Sequence, residues 1–592
     1  MVNEGPAAVG VAPNIRNDAA SAAAGGEPAR RVFGVSVELG LFELVAVGVV
    51  LLVPLLDLGG LDNATWALRT ALLLVIVGPG LVVLGGLARQ RDRAARWALG
   101  FLVWAVVSAL LSRDPLHALI GGYGTDRGVL FLAGFMACWA VGRRVDRTVV
   151  PLLVGATVFA ALANVGLGFC QVRYGKLLGV LATNDGRAAG FTASSVYFGG
   201  LMAGGMALAG HLAAHAPRAR SARQGVMLAT VAFCGFGASL SGSRIALVGG
   251  AIAALAAGWR IDWRRVALVG LAVATGIGLS LLVSQASSTV NRIQGDAGSG
   301  VTPRVEMWRA AGHAFVERPV TGWGPGQFRT ATSPRLTVAY AVHEGADKLF
   351  FDAHDVLVEQ ATTVGIVGLV LLGGWLVLAG RGAGPMWWLA VGIAVTWLLE
   401  PVSIATAPVA FLALGAAAPS LPRRSQPSAA VVSAVVILTA LGLVAGSVVV
   451  YASHEVSIGT KRLGSISAIE RAQRVFPPDP TLADLRTQLL VQRARFAPTR
   501  RNTAAALAAA RGVAAMDPDR PTWWSDLGIY ELWWGTPTES LAAFAHALRR
   551  NPWSEAALAG QRTAAIAAHD RGLATEANRK LCAIRSIACR RS

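Results

Sequence analysis

Residues 428–452 read SAAVVSAVVILTALGLVAGSVVVYA, a run of 25 residues without a charged side chain. As a helix rising about 1.5 Å per residue, such a run exceeds the hydrocarbon thickness of a bilayer, about 30 Å. Upstream, apolar runs of comparable character fall near 37–56, 67–88, 97–111, 128–142, 149–170, 191–214, 225–241, 244–258, 265–285, 356–380, 385–400 and 404–420. The expectation is an all-α polytopic membrane protein with about thirteen spans, because only helices and closed barrels satisfy their backbone groups in lipid. Composition agrees: 54% of the 592 residues are apolar, 15% are charged, and the mean hydropathy is +0.53. Those values exclude a disordered chain and argue against an ordinary soluble one, although the length alone would suggest about four soluble domains.

A net charge of +19 invites a nucleic-acid reading. Lys and Arg, however, sit between the apolar runs rather than in one patch, so no nucleic-acid partner is expected. The basic connections are Arg89, Arg91, Arg93 and Arg96; Arg143, Arg144 and Arg147; Arg218, Arg220 and Arg223; Arg260, Arg264 and Arg265; Arg381; and Arg423 with Arg424. They occupy every second connection, and the positive-inside rule makes them cytoplasmic. The reading is therefore a cytoplasmic N-terminus, a transmembrane domain over 36–452, and an extracytoplasmic segment over 453–592. Residues 1–35, rich in Ala, Gly and Pro, read as a disordered cytoplasmic tail without a secretory signal.

Two soluble parts stand out on the outer side. One is a loop over 286–355, too long for a simple connection. The other, 453–592, carries Trp524, Leu527, Gly528, Phe544, Ala547 and Pro552 at the offsets of a tetratricopeptide unit, with Ser540 in place of the usual Ala. Pro518 and Pro552 are one repeat period apart, and looser units precede them, so a short helical-repeat domain is expected. An Ala-rich bundle meeting the pattern by chance is the alternative. Cys582 and Cys589 would lie about 10 Å apart in an unbroken helix, too far for a disulfide unless that helix breaks. No cysteine pair has metal-ligand spacing, and no metal or other cofactor is expected.

Chemistry-bearing residues collect at the outer ends of the spans. Arg127 in GYGTDRG, Arg187 in DGRAAGFTASS, Arg244 in LSGSRIAL and Arg304 in TPRVEMW could converge on a phosphate or diphosphate, which suits the bidentate guanidinium fork. Each alone is equally compatible with a lipid headgroup. His354, in FFDAHDVLVEQATTVGIVGL, stands at the outer entry of a span and is a candidate general base or a polar cap. Asp352 is open between helix cap and partner of His354. Glu359 follows in the same span, and Glu306 lies in the outer loop. Gly322, Gly324 and Gly326 in RPVTGWGPGQF permit close backbone approach to a ligand. No Walker motif, kinase set, nucleophile elbow or HExxH occurs, so ATP coupling within this chain is not expected.

Taken in order over about residues 40–420, these segments resemble the O-antigen ligase and polymerase family of bacterial membrane glycosyltransferases, which often carry tetratricopeptide repeats after that region. The resemblance is carried by Arg127-Gly128, by RAAGFTASS, by Ser243-Arg244-Ile245-Ala246, by PVTGWGPGQF, and by His354-Asp355 with Gly365 eleven residues on. Ile245 stands where Gly is usual, Asp355 where Asn or Ser is usual, Thr363 where Glu is common, and Ser194 or Ser195 near the usual Asn. The resemblance implies a multi-pass protein of the cytoplasmic membrane and a metal-independent, inverting transferase. Its donor would be a glycan on a polyprenyl diphosphate such as undecaprenyl diphosphate, its acceptor a glycan, lipid or protein. In that reading Arg244 and His354 are catalytic, and Arg127, Arg187, Arg304, Gly324, Gly326 and Glu359 bind substrate. A flippase or transporter of lipid-linked oligosaccharide is the alternative, with Glu38 and Glu43 as the carboxylates within spans. The C-terminal repeats would bind an envelope protein or the growing glycan.

Overall fold

The structure, a computed structural model, describes residues 31–32, 35–36, 40–57, 61–177, 180–181, 186–217, 221–259, 262–283, 302–419, 428–462 and 464–585. Glu38, the part of the outer loop over 286–301, the side chains of Arg218, Arg220, Arg260, Arg423 and Arg424, and Cys589 lie outside them, as does nearly all of the tail. Met1–Gly40 forms one unit and Leu41–Ser592 another. In the first, Arg31–Val32 pairs antiparallel with Val35–Ser36.

In the second unit the apolar runs form helices α1 Leu41–Leu55, α2 Ala64–Arg89, α3 Arg93–Leu110, α5 Val129–Gly142, α6 Val150–Tyr174, α7 Ser195–Ala214, α8 Ala222–Ser241, α9 Arg244–Ala256 and α10 Trp263–Ser280. The short α4, Pro115–Ile120, interrupts them between α3 and α5. After α11, Thr302–Glu317, come α12 Val356–Ala379, α13 Pro385–Ala394, α14 Ala407–Ala417 and α15 Ala429–Ser457. Among the described residues, seven helices are long and apolar enough to cross a membrane. The run quoted at the outset lies within α15, whose Val436, Ile437, Leu441 and Val444 are about 60% exposed, as lipid-facing side chains would be.

Two apolar cores hold these helices. One joins α2, α3, α5 and α12, with Trp139 edge-on to Trp375 at 5.9 Å. The other joins α6 to α10 around Phe198, Met202 and Met206. Small residues bring backbones together where apolar driving force is weak: a Cβ on Gly142 would meet the Leu412 carbonyl oxygen, and one on Gly392 the Ala203 carbonyl.

The last helices of the apolar region depart from the expected lengths. The run near 385–400 is helical only to Ala394, continues as a 3₁₀ turn over Val395–Leu398, and breaks before α14. Pro401 and Pro408 explain the break, since each removes a backbone donor. The non-helical joint 399–406 is largely buried, which a membrane protein tolerates where the backbone lines a cavity.

Seven further helices follow: α16 Ile466–Val475, α17 Pro480–Phe496, α18 Arg500–Met516, α19 Pro521–Trp534, α20 Pro537–Arg550, α21 Glu555–Ala567 and α22 Arg571–Arg585. Each packs on its sequence neighbour. Gly528 on α19 leaves room for the Phe544 ring on α20, and Ser540 donates to the Gly528 carbonyl at 2.8 Å. These helices clamp two segments of the apolar region, before α5 and before α12. Asp479 accepts from Tyr123 N at 2.8 Å, while Asn551 donates to Ala346 O at 2.8 Å and Asp347 accepts from Ala556 N at 3.0 Å. The basic connections are tied to one another elsewhere, as in Arg143 to Asp92 at 2.9 Å and Arg143 to Pro419 O.

Candidate active site

The site is built where three connecting segments meet. Trp66 fixes the first by donating to Thr125 O at 2.8 Å, and Asp126 ties the next turn to the joint after α13 by accepting from Ile404 N at 2.8 Å. Arg127 thereby faces inward, and its Nη2 donates to Asp352 Oδ2 at 2.7 Å. Burial alone would weaken the Arg127 charge, but Asp352 and Asp126 beside it reinforce the protonated form.

The same Asp352 holds His354. Its Oδ1 accepts from the His354 backbone N at 2.9 Å and lies 2.6 Å from ring Nδ1. His354 adopts a left-handed backbone at φ 51°, which folds the residue back over Asp352, and Phe350 packs edge-on to the imidazole at 5.0 Å. Burial would raise the Asp352 carboxyl, but the Arg127 charge, the close His354 ring and the His354 backbone N–H outweigh it and hold the group well below the usual carboxylate range. The cap of α12 is a different residue: Asp355 accepts from Leu357 N and Val358 N. The alternative left open by the sequence is thus decided, with Asp355 as cap and Asp352 as partner of His354. Glu359 accepts from Ala353 N at 2.8 Å and braces the turn that carries both.

Arg127, Asp352, His354 and Glu359 stand at one cavity of about 270 Å³ together with Gly326. Away from these polar groups the wall is apolar, with Phe101, Phe135, Met136, Trp375, Trp397 and Phe411. Arg187, Arg244, Arg304 and Gly324 do not line it.

The missing link between the arginines and the cavity is Glu400, in the non-helical joint after α13. Ser243 caps α9 and donates to Glu400 Oε1 at 3.3 Å. Burial raises the Glu400 carboxyl, while Arg304, His354 and Arg187 pull it down by their charges, so all three lie within its electrostatic reach. Arg244 opens α9 directly after Ser243, with its side chain exposed. Glu306 is engaged elsewhere, with Arg309 at 2.5 Å and Thr337 at 2.7 Å.

The Arg187 segment is held by polar residues inside spans. Arg69 donates to Phe191 O and Val53 O, Gln171 accepts from Ala189 N and Gly190 N, and Asn164 accepts from Phe191 N. A buried polar side chain within a span was the available sequence signal for Arg69, Asn164 and Gln171.

The glycine stretch has a structural partner. Gly365 interrupts α12 at φ 69°, ψ −173°, and into that kink Trp323 N and Gly324 N donate to Thr362 O and Thr363 O at 3.1 and 2.8 Å. Ile366 N closes the contact onto Pro319 O at 2.8 Å. Gly322 and Gly365 therefore serve backbone meeting backbone. Gly324 lies against Ser112, and Gly326 against the Arg127 side chain.

Among the described residues no group of three His, Cys, Asp or Glu side chains is placed to hold a metal ion. No curated protein matches the chain. The segment that runs from α8 through Arg244, the long connection before α12 and His354 to the kink at Gly365 is similar to the O-antigen ligases, matching the family model of that description over residues 229–373.

Proposed function

We propose that this chain is a membrane glycosyltransferase that transfers or polymerises glycans from a polyprenyl-diphosphate-linked donor at the outer face of the cytoplasmic membrane. The observation that carries the reading is a base-like His354, oriented by Asp352 and backed by Arg127, at the polar end of an otherwise apolar cavity. An apolar depth suits a prenyl chain, and a polar mouth suits the bond that reacts. The acceptor hydroxyl attacks the anomeric carbon of the donor sugar, the bond from that carbon to the diphosphate oxygen breaks, and the configuration inverts. The hydroxyl proton passes to His354 Nε2, since Nδ1 faces Asp352. Arg187 and Arg304, within electrostatic reach of Glu400, and Arg244, which follows the Ser243 that donates to Glu400, meet the charge left on the departing diphosphate. Nothing in this scheme calls on a metal.

The placement of these parts belongs to the same proposal. The seven long helices and the shorter apolar ones at α1, α5, α9, α10, α13 and α14 together cross the membrane about thirteen times, with the basic connections in the cytoplasm. The extracytoplasmic position of 453–592 is supported by Cys582, which is disulfide-bonded, because disulfides persist in oxidising compartments. The helix pairs from α17 onward act as tetratricopeptide-like units that engage an envelope protein or the glycan.

The reading is tested with purified protein in proteoliposomes supplied with lipid-linked glycan and acceptor but no ion gradient. Consumption of donor and release of polyprenyl diphosphate are expected, and both are expected to vanish in His354→Ala. Movement of intact donor across the bilayer without bond cleavage would favour a flippase instead. Product length separates a polymerase from a ligase.

A further inference from the structure

A second chamber, about 360 Å³, lies between the connection that holds α4, the segment following Gly326, and the starts of α17 and α19. Arg127 and Gly326 belong to its wall and to that of the reaction cavity, so the two spaces adjoin. Most acids around it are already engaged. Asp114 and Asp479 flank the His117 ring at 2.6 and 3.6 Å, and Asp479 also accepts from Tyr123 N and Thr481 N. His117 is pushed up to about 10 by its hydrogen bonds to these two carboxylates and is charged.

Two cations remain. Arg329 stacks over Phe351 at 4.3 Å and Arg520 over Trp523 at 4.0 Å. Among the described residues neither guanidinium donates to a carboxylate or carbonyl, and Arg520 Nε is shielded from solvent without a partner. Asp517 acts on both at a distance and Asp484, Asp479 and Asp526 act on Arg520 as well, yet burial still lowers the two arginines, and Arg520 beside it helps bring Arg329 to about 9. Two part-buried guanidinium forks that face a chamber and donate to no carboxylate or carbonyl among the described residues suit an anion that completes them.

We infer that this chamber binds a saccharide bearing a carboxylate or phosphate group, held by the forks of Arg329 and Arg520 beside the reaction cavity. The saccharide part rests on the glycan-transfer reading; the anion part does not. The group could belong to the donor glycan or to the acceptor.

The test titrates the purified full chain with a hexuronic acid oligosaccharide, with its carboxyl-reduced neutral form, and with inorganic phosphate. The anionic oligomer is expected to bind about tenfold or more tighter than the neutral one, with phosphate competing. Arg329→Gln and Arg520→Gln should each remove most of that preference, and His354→Ala should leave it intact. Equal affinity of wild-type protein for charged and neutral oligomers overturns the inference and needs no variant. So does a preference that survives both substitutions in folded protein. In a transfer assay, competition of the anionic oligomer against donor or against acceptor assigns the source. Selective binding in a protein that transfers nothing would sink the transferase reading and leave this site standing.

Discussion

Arg127 and Asp352, 225 residues apart in sequence, meet at 2.7 Å, and the second oxygen of Asp352 holds the ring of His354. One buried carboxylate thus couples the connection before α5 to the turn before α12. In the proposed mechanism Asp352 is a positioning residue, its oxygen 2.6 Å from ring Nδ1 leaving Nε2 toward the acceptor. Asp352→Asn should lower kcat about a hundredfold or more with little change in KM. Rates measured over a range of acceptor concentrations check this, and a fall confined to KM would contradict it.

His354→Ala and Arg244→Ala should each abolish transfer while membrane abundance stays at the wild-type level. Arg244 is exposed and His354 is only partly buried, so neither is needed for packing. Quantitative immunoblotting beside the transfer assay reads both quantities. A well-expressed, fully active His354→Ala protein would refute the general-base role.

Glu400 lies within reach of Arg187, Arg304 and His354, and removing its charge should loosen the arginine arrangement without emptying the space. Glu400→Gln is expected to reduce turnover about tenfold or more. If Glu400→Ala and Glu400→Gln behave alike and like wild type, Glu400 has no part in the site.

Gly365 carries a backbone that L side chains rarely adopt, and a Cβ there would meet the Val320 carbonyl oxygen at 2.2 Å. Gly365→Ala should expel the 319–324 segment from the kink and lower folded protein in the membrane, through strain of about 1–3 kcal/mol plus lost backbone hydrogen bonds. Fluorescence-detected size exclusion measures the folded fraction. An unchanged monodisperse peak would show that the kink can relax.

Asp526, in α19, is pushed up to about 7 by burial and by Asp484 beside it, with Arg520 opposing. Between the ordinary carboxyl value of 3.8 and about 7, the folded domain keeps a proton that the unfolded chain has lost. Its stability should therefore fall as pH rises through that window. Asp526→Asn should remove this loss and stabilise the C-terminal helices more at pH about 8 than at pH about 4. Tryptophan fluorescence from Trp523, Trp524, Trp533 and Trp534 follows their melting; the same Tm difference at both pH values would argue against the mechanism.

The apolar runs determined the helices of the membrane region because burial in lipid demands long apolar segments, and that demand is written locally. Arg187, Arg244, Arg304 and His354 were legible as candidates for a similar reason, being polar groups at the ends of apolar runs. What only the tertiary structure decided is which of them meet. Asp352 could not be told from a cap until Asp355 took that role. Glu400 passed as the last residue of an apolar run because a helix break at Pro401 and Pro408 places it only in three dimensions. Gly322 reads as room for a ligand until Gly365, 43 positions on, is seen to need the same space. Each of these pairings joins distant segments, and no local pattern of sequence encodes a contact whose partner lies on another helix.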